Sequence, residues 1–161
     1  MLIEMTIKGL MVDPVTNVPI ILLRDSEGQK VLPIWVGIFE ANAIALQIEN
    51  VTPPRPMTHD LLRNVISDLK GSVQKVVVSD LKDNTFYALI YLTVNGETVV
   101  VDARPSDAIA LALRARCPIF VEESVIEGAE NREPGADKPD MDRLQKWLEG
   151  LDPNELGKYK M

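Results

Sequence analysis

The dipeptide Asn95-Gly96 separates two apolar, β-rich runs, TFYALIYLTV (85–94) and ETVVVDA (97–103). Both residues tolerate the positive φ of a two-residue type I′ turn, so the stretch specifies a tight antiparallel hairpin. The second run leads straight into RPSDAIALALRARCP (104–118). Here a proline suited to the first helical turn precedes a series of small apolar residues. A strand that turns at once into such a helix commits the chain to helices packed on a sheet.

The rest of the chain repeats these themes. IEMTIKGLMV (3–12), VPIILLR (18–24), KVLPIWV (30–36), SVQKVVVSDL (72–81) and IFVEE (119–123) read as strands. Asp13-Pro14, Asn17 and DSEG (25–28) punctuate them, and Pro33 points to an edge, a bulge or an unpaired position. IFEANAIALQIEN (38–50) reads as a helix opened by Gly37. The loop VTPPRPMT (51–58) holds three prolines in four residues, which stiffen it and fix the position of Arg55. Thr58 is the expected N-cap of HDLLRNVISDLK (59–70) and Gly71 its C′ residue. In that helix Leu61, Leu62, Val65, Ile66 and Leu69 form an apolar face, with His59, Asp60, Arg63, Asn64, Ser67 and Asp68 opposite.

The tetrapeptide AIAL occurs at 43–46 and again at 108–111. Each copy lies in a helix entered from a strand by a short turn, an arrangement consistent with internal duplication. Either way, alanine-rich helices allow close backbone approach, and the two turns are expected to lie near one another. After Ile126 the composition shifts. EGAENREPGADKPD (127–140) reads as a polar linker, and DMDRLQKWLEGL (140–151) as an amphipathic helix with Met141, Leu144, Trp147, Leu148 and Leu151 on one face. The expected organisation is a domain over 1–126, a linker over 127–140, and a C-terminal helix and tail over 141–161.

A chain of 161 residues suffices for one domain with a real core. No apolar run approaches the roughly 18 residues of a membrane helix, and no cleavable signal pattern is present, so a cytoplasmic protein without membrane partners is expected. The lone Cys117 excludes an intrachain disulfide and a cysteine-cluster metal site. Net charge is −7, which argues against a general polyanion-binding surface; nucleic-acid activity requires a local basic patch or a divalent cation. Homo-oligomerisation is expected through edge strands or the Trp147 helix.

Two constellations carry chemistry. Asp102, Arg104, Ser106 and Asp107 surround the start of the second AIAL helix. They read either as a capped helix start, with Arg104 paired to a neighbouring acid, or as an anion or metal site at a helix N-terminus. Thr58, His59 and Asp60 follow the proline loop. His59 is either a solvent-facing residue or a general acid or base, and any histidine-dependent chemistry must run through it, the chain having 1 histidine. Glu40 complements a helix dipole unless the fold brings it beside Asp102 or His59. Arg114 and Arg116, near a helix C-terminus, have an electrostatic explanation without function. No glycine-rich phosphate loop, nucleophile elbow or zinc-finger spacing is present.

The blocks LPIWVGIFEANAIA (32–45), RPMTHDLL (55–62) and DARPSDAIALALRARCPIFV (102–121) resemble, in order, the three signature blocks of the bifunctional nuclease domain family. The resemblance implies an α+β roll, in which a mixed or antiparallel sheet is wrapped by a few helices. It also implies metal-assisted hydrolysis of DNA and RNA, single- or double-stranded. The positions matching the family's motifs are Glu40, Arg55, His59, Asp60, Asp102, Arg104, Ser106 and Asp107. On this reading Asp102, Asp107 and Glu40 are candidates to hold Mg²⁺ or Mn²⁺, and Arg55, Arg104 and Ser106 to bind substrate. His59, Asp60, Asp102, Arg104 and Asp107 are the catalytic candidates. The alternative is a non-enzymatic ligand-binding or regulatory and oligomerisation module.

Overall fold

The computed structural model describes residues 1–130. Seven strands and four helices follow in order: β1 (Leu2–Val12), β2 (Pro19–Asp25), β3 (Val31–Trp35), α1 (Ile38–Ile48), α2 (Thr58–Asp68), β4 (Gly71–Lys82), β5 (Thr85–Val94), β6 (Glu97–Ala103), α3 (Pro105–Ala115), β7 (Ile119–Glu122) and α4 (Glu123–Glu130). The strands form one mixed sheet in the order β3-β2-β1-β7-β4-β5-β6. The β4–β7 pair is parallel, and the other pairs are antiparallel. This is the expected α+β architecture. Pro33 sits in β3, an edge strand, where its missing N–H costs no ladder bond.

Two type I′ turns shape the β4–β6 meander. Asn95 and Gly96 have φ of 53° and 78°, as their sequence demands. Asp83 and Asn84, at 50° and 62°, make a second tight turn between β4 and β5. The sheet rolls on itself: the end of β3 and the start of β5, far apart in strand order, line one cleft. α3 lies within the roll. Ala108, Ile109, Ala110, Leu111 and Ala112 are all buried, and they pack with Met5, Leu23, Ile34, Val76 and Val78 in one core. Being apolar on nearly every side is what such a central helix requires. α1 and α2 both pack against α3.

Several local expectations are corrected. α1 ends at Ile48, two residues short of the anticipated Asn50, which adopts positive φ beyond the helix. The N-cap of α2 is Met57 rather than Thr58; its N–H donates to Asp60 Oδ2 at 2.9 Å, so Asp60 closes the helix start. Lys70, not Gly71, takes the left-handed conformation after α2, with φ of 66°. Gly71 serves a different purpose: an added Cβ would lie 3.2 Å from the Ile66 carbonyl and 3.3 Å from Val94. The apolar face of α2 is largely exposed, with Ile66 alone of it packed against the core. His59 is its one buried residue, whereas Leu61, Leu62, Val65 and Leu69 are exposed among the described residues. Residues 127–130 of the anticipated linker are helical instead, completing α4, and Ile126 is buried in the core. Residues 131–140 of that linker, and the anticipated helix and tail over 141–161, lie outside the described residues.

One side chain ties the three helices together. Arg114, near the end of α3, is 5% exposed. Its Nε donates to Asp60 Oδ1 at 2.7 Å, its Nη1 to the Ala110 carbonyl at 2.8 Å and its Nη2 to the Ala43 carbonyl at 3.0 Å. The guanidinium therefore links the first turn of α2 to α3 and to α1. A buried cation is tolerable only with partners of this kind.

Two stability outcomes follow. Arg114→Ala, which leaves Asp60 without its partner, lowers stability by about 3–5 kcal/mol, and the Arg114→Met/Asp60→Leu pair costs less than the two single changes summed. Urea unfolding of the four species measures the coupling. At the α2–β4 junction, Lys70→Gly raises stability by up to about 1 kcal/mol by relieving left-handed strain, whereas Gly71→Ala lowers it by about 1–3 kcal/mol through overpacking. Thermal melts of the two variants show the opposite signs.

Candidate functional site

The two strand-to-helix turns meet, and the site is built where they do. β6 delivers Arg104 as the N-cap of α3, with Pro105 at the first helical position. Arg104 makes no side-chain cap bond; its guanidinium reaches outward instead. Nε donates to Asp107 Oδ2 at 2.9 Å, and Nη2 donates to Glu40 Oε1 at 2.8 Å while lying 2.9 Å from Asp107 Oδ2. Glu40 comes from the first turn of α1. It can fold back because residue 37 is glycine: a Cβ there would collide with Glu40 Oε2. The two carboxylates raise the Arg104 pKa, Asp107 first and Glu40 second, so the guanidinium stays charged. The bond to Nε and those to Nη2 leave Nη1 without a carboxylate partner among the described residues.

Asp107 extends the chain of contacts. Its Oδ1 lies 2.9 Å from His59 Nε2, so its two oxygens serve Arg104 and His59 separately. With Asp107 ionised, Nε2 carries the proton of this bond and Nδ1 is the nitrogen left for proton transfer. The His59 side chain is only 10% exposed, and that of Arg104 is 65% exposed. The imidazole is thus fixed within the wall while the guanidinium stands at the surface. The series Glu40–Arg104–Asp107–His59 joins α1, α3 and α2, three elements distant in sequence.

This series borders a cleft of about 440 Å³ lined by Phe39, Glu40, Asn42, Ala43, Leu46, Met57, Thr58, His59, Arg104 and Asp107. A second cleft, of about 270 Å³, has Trp35, Gly37, Phe86, Arg104 and Ser106 among its lining residues. Arg104 lines both and forms the ridge between them. Trp35 is anchored there by its indole N–H, which donates to Asp13 Oδ2 at 3.1 Å. The Val15 N–H and then the indole hold the Asp13 carboxyl below the usual carboxylate pKa.

The remaining predicted residues are dispersed. Asp60 adjoins His59 but turns to Arg114, which makes it a positioning residue. Arg55 is exposed and lines a separate polar cleft of about 390 Å³ with Asp60, Arg63 and Asn64. Ser106 is buried and borders the Trp35 cleft. Asp102 stands on exposed β6, paired with Leu89, while its neighbours Val101 and Ala103 take the face shared with buried Ile90 and Ala88. Strand alternation therefore points Asp102 away from the core face that carries α3. Arg114, given only an electrostatic explanation in the sequence, is a buried link beneath the site, and Trp35, Phe39 and Asn42, not singled out there, line its clefts. An arginine interrupting the apolar run AIALAL-R was the available sign of Arg114.

As arranged, these residues do not fit a divalent ion held by Glu40, Asp102 and Asp107. Arg104 already spans Glu40 and Asp107, and Asp102 is on another face. Among the described residues no three His, Cys, Asp or Glu side chains converge into a possible metal site. Cys117 is outside the clefts, and burial pushes its thiol pKa up, which suppresses nucleophilic thiolate. No helix among the described residues is long and apolar enough to cross a membrane.

Comparison with known proteins places this geometry in a family. The bifunctional nuclease domain model matches residues 21–133, which include every residue of the Glu40–Arg104–Asp107–His59 series. An uncharacterized protein of Mycobacterium tuberculosis is 38% identical over 162 residues, covering 95% of this chain and 97% of that protein. Bifunctional nuclease 2 of Oryza sativa subsp. japonica is 31% identical over 122 residues, covering 72% of this chain and 38% of the plant protein. Bifunctional nuclease 1 of Arabidopsis thaliana is 30% identical over 107 residues, covering 64% of this chain and 33% of that protein. The matched region thus spans about a third of each plant relative, and nearly all of the mycobacterial one. On the family-model match and the mycobacterial relative, the chain belongs to the bifunctional nuclease domain family.

Proposed function

We propose that the larger cleft is a phosphodiesterase site acting on DNA and RNA. The observation that carries this reading is the continuous Glu40–Arg104–Asp107–His59 series along one cleft wall. A phosphodiester binds through the outward edge of Arg104, whose Nη1 donors are unclaimed by the carboxylates and whose charge is fixed. Glu40 and Asp107 hold that guanidinium in one orientation. His59, oriented by Asp107 through Nε2, accepts the proton of the attacking water at Nδ1 as its oxygen bonds to phosphorus. The bond from phosphorus to the leaving oxygen breaks, and the proton passes from His59 to that oxygen. Arg104 stabilises the charge that develops on the phosphoryl oxygens. Family membership supports the substrate class, since the plant relatives are named bifunctional nucleases.

The second reading, a non-enzymatic nucleic-acid or ligand-binding module, draws on the Arg104 ion pairs, which are already complete without a ligand. One experiment separates the two. Purified full-length protein is incubated with labelled single- and double-stranded DNA and RNA, in EDTA and in Mg²⁺ or Mn²⁺. The hydrolytic reading expects cleavage that falls by about 10²-fold or more in His59→Ala and Arg104→Ala, while Asp102→Ala retains it. Binding without cleavage in every arm establishes the module. Cleavage abolished by Asp102→Ala overturns the placement of the site, and the EDTA arm reads metal dependence directly.

A further inference from the structure

Phe39 is an unusual residue to leave in water. It lies in the first turn of α1, is 81% exposed, and stands at the rim of the larger cleft. Asn42, one helical turn further, lines the same cleft, and its Oδ1 is shielded from solvent without a hydrogen-bond partner among the described residues. Residues three apart on a helix share a face. An apolar ring and an unused acceptor are therefore side by side, with Arg104 across the cleft. A planar aromatic group bearing an N–H donor satisfies both at once. It would cover the ring and supply the missing hydrogen bond, whose absence in a buried site is costly.

We infer that Phe39 and Asn42 form a nucleobase subsite beside the phosphate position at Arg104, so that the site takes nucleic acid with an unstacked base. The inference rests on the phosphodiesterase reading and names the form of substrate it accepts. A base stacks on the Phe39 ring, and its amino or imino N–H donates to Asn42 Oδ1. The charge of the chain makes this contact necessary. At net −7 the protein gains little from general attraction to a polyanion, and Arg104 is the one arginine among the described residues lining the larger cleft. Stacking supplies affinity that needs no positive surface. A paired base within a duplex offers neither its face nor its hydrogen-bonding edge to such a subsite.

The test uses the full-length protein with fluorescently labelled oligonucleotides, read by anisotropy under non-cleaving conditions. A single strand is compared with an abasic strand of equal length and charge, and with the matching duplex. Phe39→Ala weakens binding of the base-bearing strand by roughly five- to a hundredfold, and Phe39→Trp restores it. Asn42→Ala weakens the same strand and leaves the abasic strand unchanged. Affinity of the abasic strand is the same for wild type and Phe39→Ala, and the duplex binds more weakly than the single strand. An unchanged affinity of Phe39→Ala for the base-bearing strand overturns the inference, as does an equal loss on base-bearing and abasic strands. If Phe39→Ala has no effect while His59→Ala abolishes cleavage, the subsite fails and the phosphodiesterase reading stands. If the wild type binds no oligonucleotide, both fall together.

Discussion

The docking of α2, and with it the position of His59, depends on Arg114, which lines neither of the two clefts that meet at Arg104. Arg114 is 5% exposed, and its guanidinium bonds one carboxylate and two carbonyls from three helices. α2 buries little apolar surface: Leu61, Leu62 and Val65 are exposed, Ile66 alone of its apolar face packs against the core, and its buried residue is a histidine. A helix with that distribution of side chains is not docked by an apolar stripe. It is docked at its first turn, by Asp60 on Arg114 and by His59 on Asp107. Directional contacts of this kind fix orientation as well as position, whereas apolar packing permits sliding. The imidazole is consequently set relative to α3 by two independent polar links one residue apart.

A second constraint closes the roll. β3 and β6 are the two edges of the sheet, and each leads directly into a helix carrying AIAL. Rolling brings those edges together, so their turns meet and Arg104 bonds Glu40 across 64 residues of sequence. The edge strands thus do more than end the sheet. They carry the site's charged residues to one place, where two helix N-termini favour negative charge. Glu40 and Asp107 answer that preference, and Arg104 between them removes their mutual repulsion.

Much of this was legible in the sequence, and the parts that were not share a cause. Strand and hairpin positions followed from local chemistry, because Asn95-Gly96, Pro33 and the alternation of apolar residues act within a few residues of themselves. The helix starting at Pro105 was equally local. The orientation of α2 was not, since its apolar periodicity pointed to Leu61, Val65 and Leu69 as the buried face. Polar partners more than 40 residues distant decide otherwise, and periodicity carries no information about them. The same holds for Asp102 and Asp107. Both lie in one short block, but strand alternation turns the first away while the helix start turns the second inward. α4 escaped notice because its polar residues, read without the sheet beside them, resemble a linker.

Two carboxylates around one arginine need not forbid an anion there. Guanidinium offers five N–H donors in a planar fork, and a carboxylate pair consumes only one side of it. Here Asp107 and Glu40 use Nε and Nη2, and the Arg104 side chain remains 65% exposed. A phosphate at the Nη1 edge therefore adds to the existing bonds without breaking them. It also meets a donor whose direction is already set, so less rotamer freedom is lost on binding. The carboxylates weaken the attraction of this arginine for any passing polyanion and sharpen the geometry in which it accepts one phosphate. In an acidic protein such a site selects for contacts beyond charge, and the neighbouring side chains that can provide them are aromatic.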